Sequence, residues 1–167
     1  MDLFLGNKEM IGVETLSVQR DKNGTLTGYA RLWIGGHFLG TIHDFIYMDG
    51  YLLGGLFQIS RVPFLMDGIS MDNSESLYAY LFKRLEDGSE DEIHNYLVNF
   101  GTMSDAFNVW AFKKGDNITI GWKLRDDYHN PYYLDLVDYP PSAFFHTLNY
   151  RIFNEFVERL ERIFQCW

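Results

Sequence analysis

Two dipeptides near the N-terminus, Asn23-Gly24 and Gly35-Gly36, constrain this chain more than any other feature. Both permit the positive φ angles that a tight hairpin turn requires. The stretches around them have the chemistry of strands. Met10 to Gln19 alternates loosely through Ile11, Val13, Leu16 and Val18, and Leu26 to Ile34 supplies Tyr29, Leu32, Trp33 and Ile34. His37 to Ile42 returns as a partner, so a three-stranded antiparallel meander is expected.

Beyond Phe45 the period of two is lost. Phe45, Ile46, Met48, Leu52, Leu53, Leu56, Phe57 and Ile59 fit a helical face, interrupted by Gly50, Gly54 and Gly55, which predicts a broken helix. Ser74 caps a second helix through Leu77, Tyr78, Leu81, Phe82 and Leu85, closed by Asp87-Gly88. A short helix is expected from Ser89 to Asn99, its first turn acidic. Phe107–Phe112 and Ile118–Leu124 form a second hairpin, Tyr132–Val137 a further strand closed by Pro140-Pro141. Ser142 to Gln165 reads as one long amphipathic helix. No repeat or linker divides the chain. The expected architecture is a single α+β domain over residues 1–167: an antiparallel sheet built from N-terminal and C-terminal hairpins, central helices, and a long C-terminal helix packed on the sheet.

The composition narrows the function classes. Of the 167 residues 47% are hydrophobic, enough to build one core and to exclude intrinsic disorder. The one cysteine, Cys166, excludes an internal disulfide framework. No apolar run approaches the ~20 residues of a membrane-spanning helix, and no secretory start is present, so a cytoplasmic protein is expected. The formal charge is −9, which disfavours nucleic acid as a direct ligand. The imbalance is local. Asp67 to Glu92 holds eight of the 23 acidic residues, balanced only by Lys83 and Arg84. Glu86 to Glu92 is the densest part. Such a run is either a solvated loop and helix start or a surface held for a basic partner.

Catalytic and cofactor signatures are missing. The five histidines (His37, His43, His94, His129 and His146) lack the helical pairing of a zinc protease, and no cysteine pair supports a structural zinc. No nucleophile elbow, phosphate loop or dinucleotide fingerprint is present. The expectation is no catalytic, metal or cofactor-binding residue. The alternative is a small α+β enzyme or ligand-binding domain using His43 and Asp44, or the aspartates near Tyr132: Asp126, Asp127, Asp135 and Asp138. Neighbours on a strand face opposite ways, which weakens a His43–Asp44 dyad. Trp33, Trp110, Trp122, Tyr132 and Tyr133 are read first as strand packing. Any exposed beside carboxylates would suit a protein interface.

Gly6-Asn7-Lys8 leading into Ile11-Gly12-Val13-Glu14, then Leu32 to Gly40 (Leu-Trp-Ile-Gly-Gly-His-Phe-Leu-Gly), then the Leu52-Leu53 segment, resemble the immunity proteins of bacterial contact-dependent growth inhibition. The resemblance covers about residues 5–60; beyond that, size, element order and acidity agree. It implies a cytoplasmic antidote that binds one toxin domain without catalysis of its own. Many such toxins are nucleases, whose clefts are basic to hold phosphate. Each antidote is matched to its own toxin, so the resemblance assigns no binding residues. The charge argument alone proposes Asp67, Asp72, Glu75, Glu86, Asp87, Glu90, Asp91 and Glu92, with Asp126, Asp127 and Asp138 as a second surface.

Overall fold

The computed structural model describes residues 2–88 and 92–167, with the backbone alone for Glu92. Four strands form an antiparallel sheet in the order β1 (Leu3–Gly6), β2 (Ile11–Arg20), β3 (Leu26–Ile34) and β4 (His37–Tyr47). Both expected turns are present. Gly24 has φ 82°, and Gly35 and Gly36 have φ 57° and 82°, between Ile34 and its partner His37. The short β1, which the alternation did not flag, adds itself outside β2. A π-helical turn, Met48–Leu53, runs into α1 (Gly54–Ser60) as the broken helix expected there, but Phe45 and Ile46, expected on its face, belong to β4. Then come α2 (Ser74–Glu86), a second sheet of β5 (Phe107–Lys114), β6 (Asn117–Leu124) and β7 (Phe144–Asn149), and α3 (Tyr150–Gln165).

The architecture is α+β, with its strands divided between two antiparallel sheets. Four local expectations are corrected here. Phe144–Asn149, expected as helix, pairs with β6 from Trp122 to Asn117. Its aromatic and branched residues suit either period, and a free ladder edge on β6 decides for strand. Asn149 then starts α3, its side chain accepting from the N–H groups of Arg151 and Ile152. Tyr132–Val137 is no strand; it lies between Pro131 and Pro140 and holds a 3₁₀ turn at Leu134–Leu136. The cap of α2 is Asn73, one residue before Ser74, accepting from the Ser76 N–H at 2.9 Å. Of the short helix expected from Ser89 to Asn99, Glu92–Tyr96 is a 3₁₀ turn, while residues 89–91 lie outside the described residues.

One core runs through both sheets. Val13, Leu32, Ile34 and Leu39 from the first sheet join Ile118, Ile120 and Trp122 of β6, and α3 covers them with Phe153, Phe156, Leu160 and Phe164. Burying each such side chain contributes ~1.5–3 kcal/mol. A smaller core forms where Leu77 and Leu81 of α2 meet Tyr96, Trp110 and Phe112. No helix among the described residues is long and apolar enough to cross a membrane.

A polar joint fastens the sheets to each other. Trp122 Nε1 donates to the Tyr139 hydroxyl at 2.8 Å, and that hydroxyl donates to the Phe38 carbonyl of β4. Nearby, the Gly35 turn lies against β7: a Cβ at Gly35 would sit 2.5 Å from the His146 ring. His37 stacks on Phe144 at 4.0 Å.

The ladders are broken at two places. Between Leu16 and Gln19 on β2 a bulge puts Ser17 at φ 52°, its N–H held by Asp2 at 2.9 Å. On β4 the register jumps from Ala30↔Thr41 to Tyr29↔Phe45, which leaves Ile42, His43 and Asp44 without partners on β3. Bulges of this kind re-aim side chains and end pairing.

Burial pushes the Tyr139 phenol up to about 12, against the hydrogen bond from Trp122. A phenol that stays protonated in the fold while its unfolded counterpart ionises gives stability that is complete below pH ~10 and lost as pH climbs toward ~12. Tyr139→Phe removes this alkaline loss and orphans the Trp122 N–H, lowering stability at neutral pH by about 1–3 kcal/mol. Denaturant unfolding at pH 7 and pH 11 checks both effects. Phe153→Ala, in the fully buried face of α3, is expected to cost about 3–5 kcal/mol by the same measurement.

Candidate protein-binding surface

The acidic set read from the sequence does not form one cluster. Asp67 is exposed in the loop before α2 and shares a depression of about 270 Å³ with Lys113 and Lys114. Asp72 bonds Ser70 at 2.9 Å beside the start of α2. Glu75 is exposed but tied within the chain: its Oε1 accepts the Ala143 N–H at 2.6 Å and links α2 to the approach of β7. Glu86 and Asp87 are exposed at the far end of α2. The 13 residues of that helix separate the two ends by about 20 Å. Glu90 and Asp91, and the side chain of Glu92, lie outside the described residues.

The second surface adjoins the first through Tyr78 of α2. Its hydroxyl accepts from Asn108 Nδ2 at 2.7 Å, and Lys123 sits 5.2 Å above its ring. Burial raises the Tyr78 phenol, with Asp126 and Glu75 adding to the rise. Asp126 pairs with Lys123 at 3.6 Å, and Asp127 with Arg125 at 2.9 Å. Carboxylates that stand far apart in the chain thus flank the same tyrosine.

From Asp127 the chain runs across the β4 bulge, and Asp135 pins it there. Its carboxylate accepts from Thr41 Oγ1 at 2.6 Å and from the Ile42 N–H at 3.2 Å, and Arg31 Nη1 stands 3.6 Å away. Arg31 is itself held by Glu14 at 2.9 Å, with its guanidinium over the Trp33 and Phe38 rings. Burial pushes the Glu14 carboxyl up, but hydrogen bonds from Arg31 and Trp33, with the Arg31 and Lys8 charges, bring it below its ordinary value. On the bulge, Tyr133 stacks on Tyr128 at 6.3 Å. Burial raises the Tyr128 phenol, helped by the charges of Asp44, Asp105 and Asp135. It pushes Tyr133 up to about 12, with Asp44 next in effect.

This arrangement holds charge and hydrogen bonds, and in it His43 and Asp44 face different partners. His43 Nε2 lies 3.9 Å from Asp135 Oδ1, beyond the ~2.6–3.2 Å of a working proton transfer. Asp44 faces Tyr133 instead. Among the described residues no three His, Cys, Asp or Glu side chains are grouped to hold a metal. The depression beside Tyr128, His129 and Val137 is about 210 Å³, small for a ligand pocket of ~300–1,000 Å³. The larger hollows, about 620 and 750 Å³, lie beside α1 and at the start of α3, and neither contains a histidine or a pair of carboxylates.

A strand over Tyr132–Val137 would not bring out Leu134, Asp135 and Val137 as one group; the 3₁₀ turn does. The sequence does contain the signal. Pro131 and Pro140-Pro141 bracket an apolar run that cannot join a central ladder, and so leave it on a surface loop.

Two antiparallel sheets joined through a buried tyrosine and closed by a C-terminal helix define an α+β domain. The fold is similar to the crystal structure of CdiI from Burkholderia dolosa AUO158, with a TM-score of 0.62 and 13% identity, over 96% of this chain and 99% of that one. CdiI is a contact-dependent growth inhibition immunity protein. The resemblance read from residues 5–60 is thus met by a likeness in fold along almost the whole chain. No family model matches the sequence, and no curated protein matches it.

Asp135→Asn keeps the shape of the pin but removes its charge from Arg31 and weakens its hold on the bulge. A loss of about 1–3 kcal/mol is expected, with faster proteolytic cleavage between Tyr128 and Tyr139. Asp126→Asn, whose side chain is 84% exposed, should stay within about 0.5 kcal/mol of the wild type. Urea unfolding and limited proteolysis of the two variants separate the cases.

Proposed function

We propose that this chain is an immunity protein that binds one cognate toxin domain in the cytoplasm and neutralises it by stoichiometric protein contact, without chemistry of its own. The likeness of fold to CdiI over 96% of the chain carries this reading. The toxin we favour is a nuclease. A nuclease cleft is basic because it holds phosphate, and an inhibitor with a formal charge of −9 is drawn to it.

Asp67, Asp72, Glu86, Asp87, Glu90, Asp91 and Glu92 then serve as a steering field along and beyond α2. Glu75 belongs to the same field but is held by Ala143. Exposed charges of this kind act mainly on association rate and lose their effect in salt.

Co-expression with the product of the adjacent upstream open reading frame, scored for growth and for a 1:1 complex on co-purification, tests the reading; continued toxicity with no complex would sink it. Replacing Glu90, Asp91 and Glu92 together by lysine is expected to slow association about tenfold or more at low salt, with the melting temperature unchanged. Unchanged association at low salt would remove this segment from the steering surface.

A further inference from the structure

We propose that the segment Tyr128–Tyr139, seated on the β4 bulge, is the docking surface for a basic protein partner: Tyr132, Leu134 and Val137 fill recesses on that partner while the surrounding carboxylates meet its lysines and arginines. This rests on the toxin-binding reading above and names the surface that reading leaves open.

Exposure comes first. Tyr132 is 80% exposed, Leu134 68% and Val137 67%, the three highest values among the large apolar side chains described. They fall within six residues. Phe45, 48% exposed, stands at the adjoining end of the bulge. Single exposed apolar residues are ordinary, but a group of this size marks a contact surface.

The second observation is rigidity. The Asn130 side chain accepts the Tyr132 N–H at 3.0 Å, and the Tyr133 carbonyl accepts the Leu136 N–H at 3.0 Å. Asp135 fixes the middle of the segment to β4, and Tyr139 fixes its end to both sheets. The pins point inward and the apolar side chains outward. Ordering entropy has therefore been lost on folding and is not charged again on binding, which is the condition for a strong anchor.

Charge selects the occupant. Asp105 and Asp138, the latter beside Val137, are exposed and present negative charge here, while Asp44 and the pinned Asp135 add to the field at Tyr128. The nearby cations are already engaged: Arg31 by Glu14, Lys123 by Asp126, Arg125 by Asp127. The surplus is negative and awaits positive charge. A second copy of this chain would set two such surfaces against each other and be repelled.

The test measures binding of the full-length chain to the toxin domain encoded by the adjacent open reading frame, by surface plasmon resonance at low and high salt. The triple change Tyr132→Ala, Leu134→Ala, Val137→Ala is expected to weaken binding about 100-fold, mostly through faster dissociation. Tyr132→Ala alone should weaken it about tenfold, and serves if the triple variant fails to fold. Asp138→Lys should slow association at low salt only. If the wild type binds and both alanine variants bind within twofold of it, the docking surface is wrong while the toxin-binding reading stands. If the wild type does not bind the toxin domain, the toxin-binding reading fails and takes this surface with it. A wild-type dimer in sedimentation that the triple variant disperses, with toxin binding unchanged, also overturns the proposal and assigns the segment to self-association.

Discussion

The Tyr139 hydroxyl is the hinge pin of this molecule. It accepts from Trp122 in one sheet and donates to the Phe38 carbonyl in the other. A buried hydroxyl and a buried indole N–H are tolerable only if each finds a partner. Here they find each other, and the satisfied geometry sets how the sheets meet. The Gly35 turn is brought against His146, and His37 onto Phe144, as part of the same closure. Neither sheet is large: one has four strands, the other three. Their joint burial, with α3 laid across it, supplies the core that neither could build alone.

The same closure decides which surface is left for function. The chain leaves β6 at Leu124, must reach Tyr139 at the sheet junction, and crosses β4 on the way. Asp135 turns that crossing into a fixed platform. Along it lies acidic charge continuous with α2 through Tyr78. Two kinds of surface therefore sit side by side. One is diffuse charge spread over helix ends, and the other is a compact group of aromatic and aliphatic side chains held by inward bonds. Charge of the first kind acts at a distance and fades in salt, whereas apolar anchors of the second kind act only in contact.

The local parts of the fold were readable because their causes are local. The turns need positive φ and obtain it at Gly24, Gly35 and Gly36, and α2 follows its apolar period. The boundary between β7 and α3 was hidden because Phe144 to Leu148 satisfies both periods, and the choice belongs to β6, far away in sequence. The three-residue bulge at Ile42–Asp44 was hidden for the same reason: it exists to receive Asp135, 91 residues or more downstream. At the surface, sequence proximity and spatial proximity differ among the described residues. Acidic residues crowded together in the chain are drawn apart by the length of a helix, and Glu75 is used internally. Of the aspartates given second place, Asp138 stands beside exposed aliphatic bulk, next to Val137.

The bulge has one more consequence, for the behaviour of the chain among its own kind. β4 is the outer strand of its sheet, and an outer strand offers its free N–H and C=O groups to any other extended chain. Here the strand buckles at Ile42–Asp44, and the Ile42 N–H is already taken by a carboxylate. A stray strand arriving at that edge meets a kink, an occupied donor and a negative charge. The device that fixes the platform also keeps crowded copies of this protein from stitching together into aggregates.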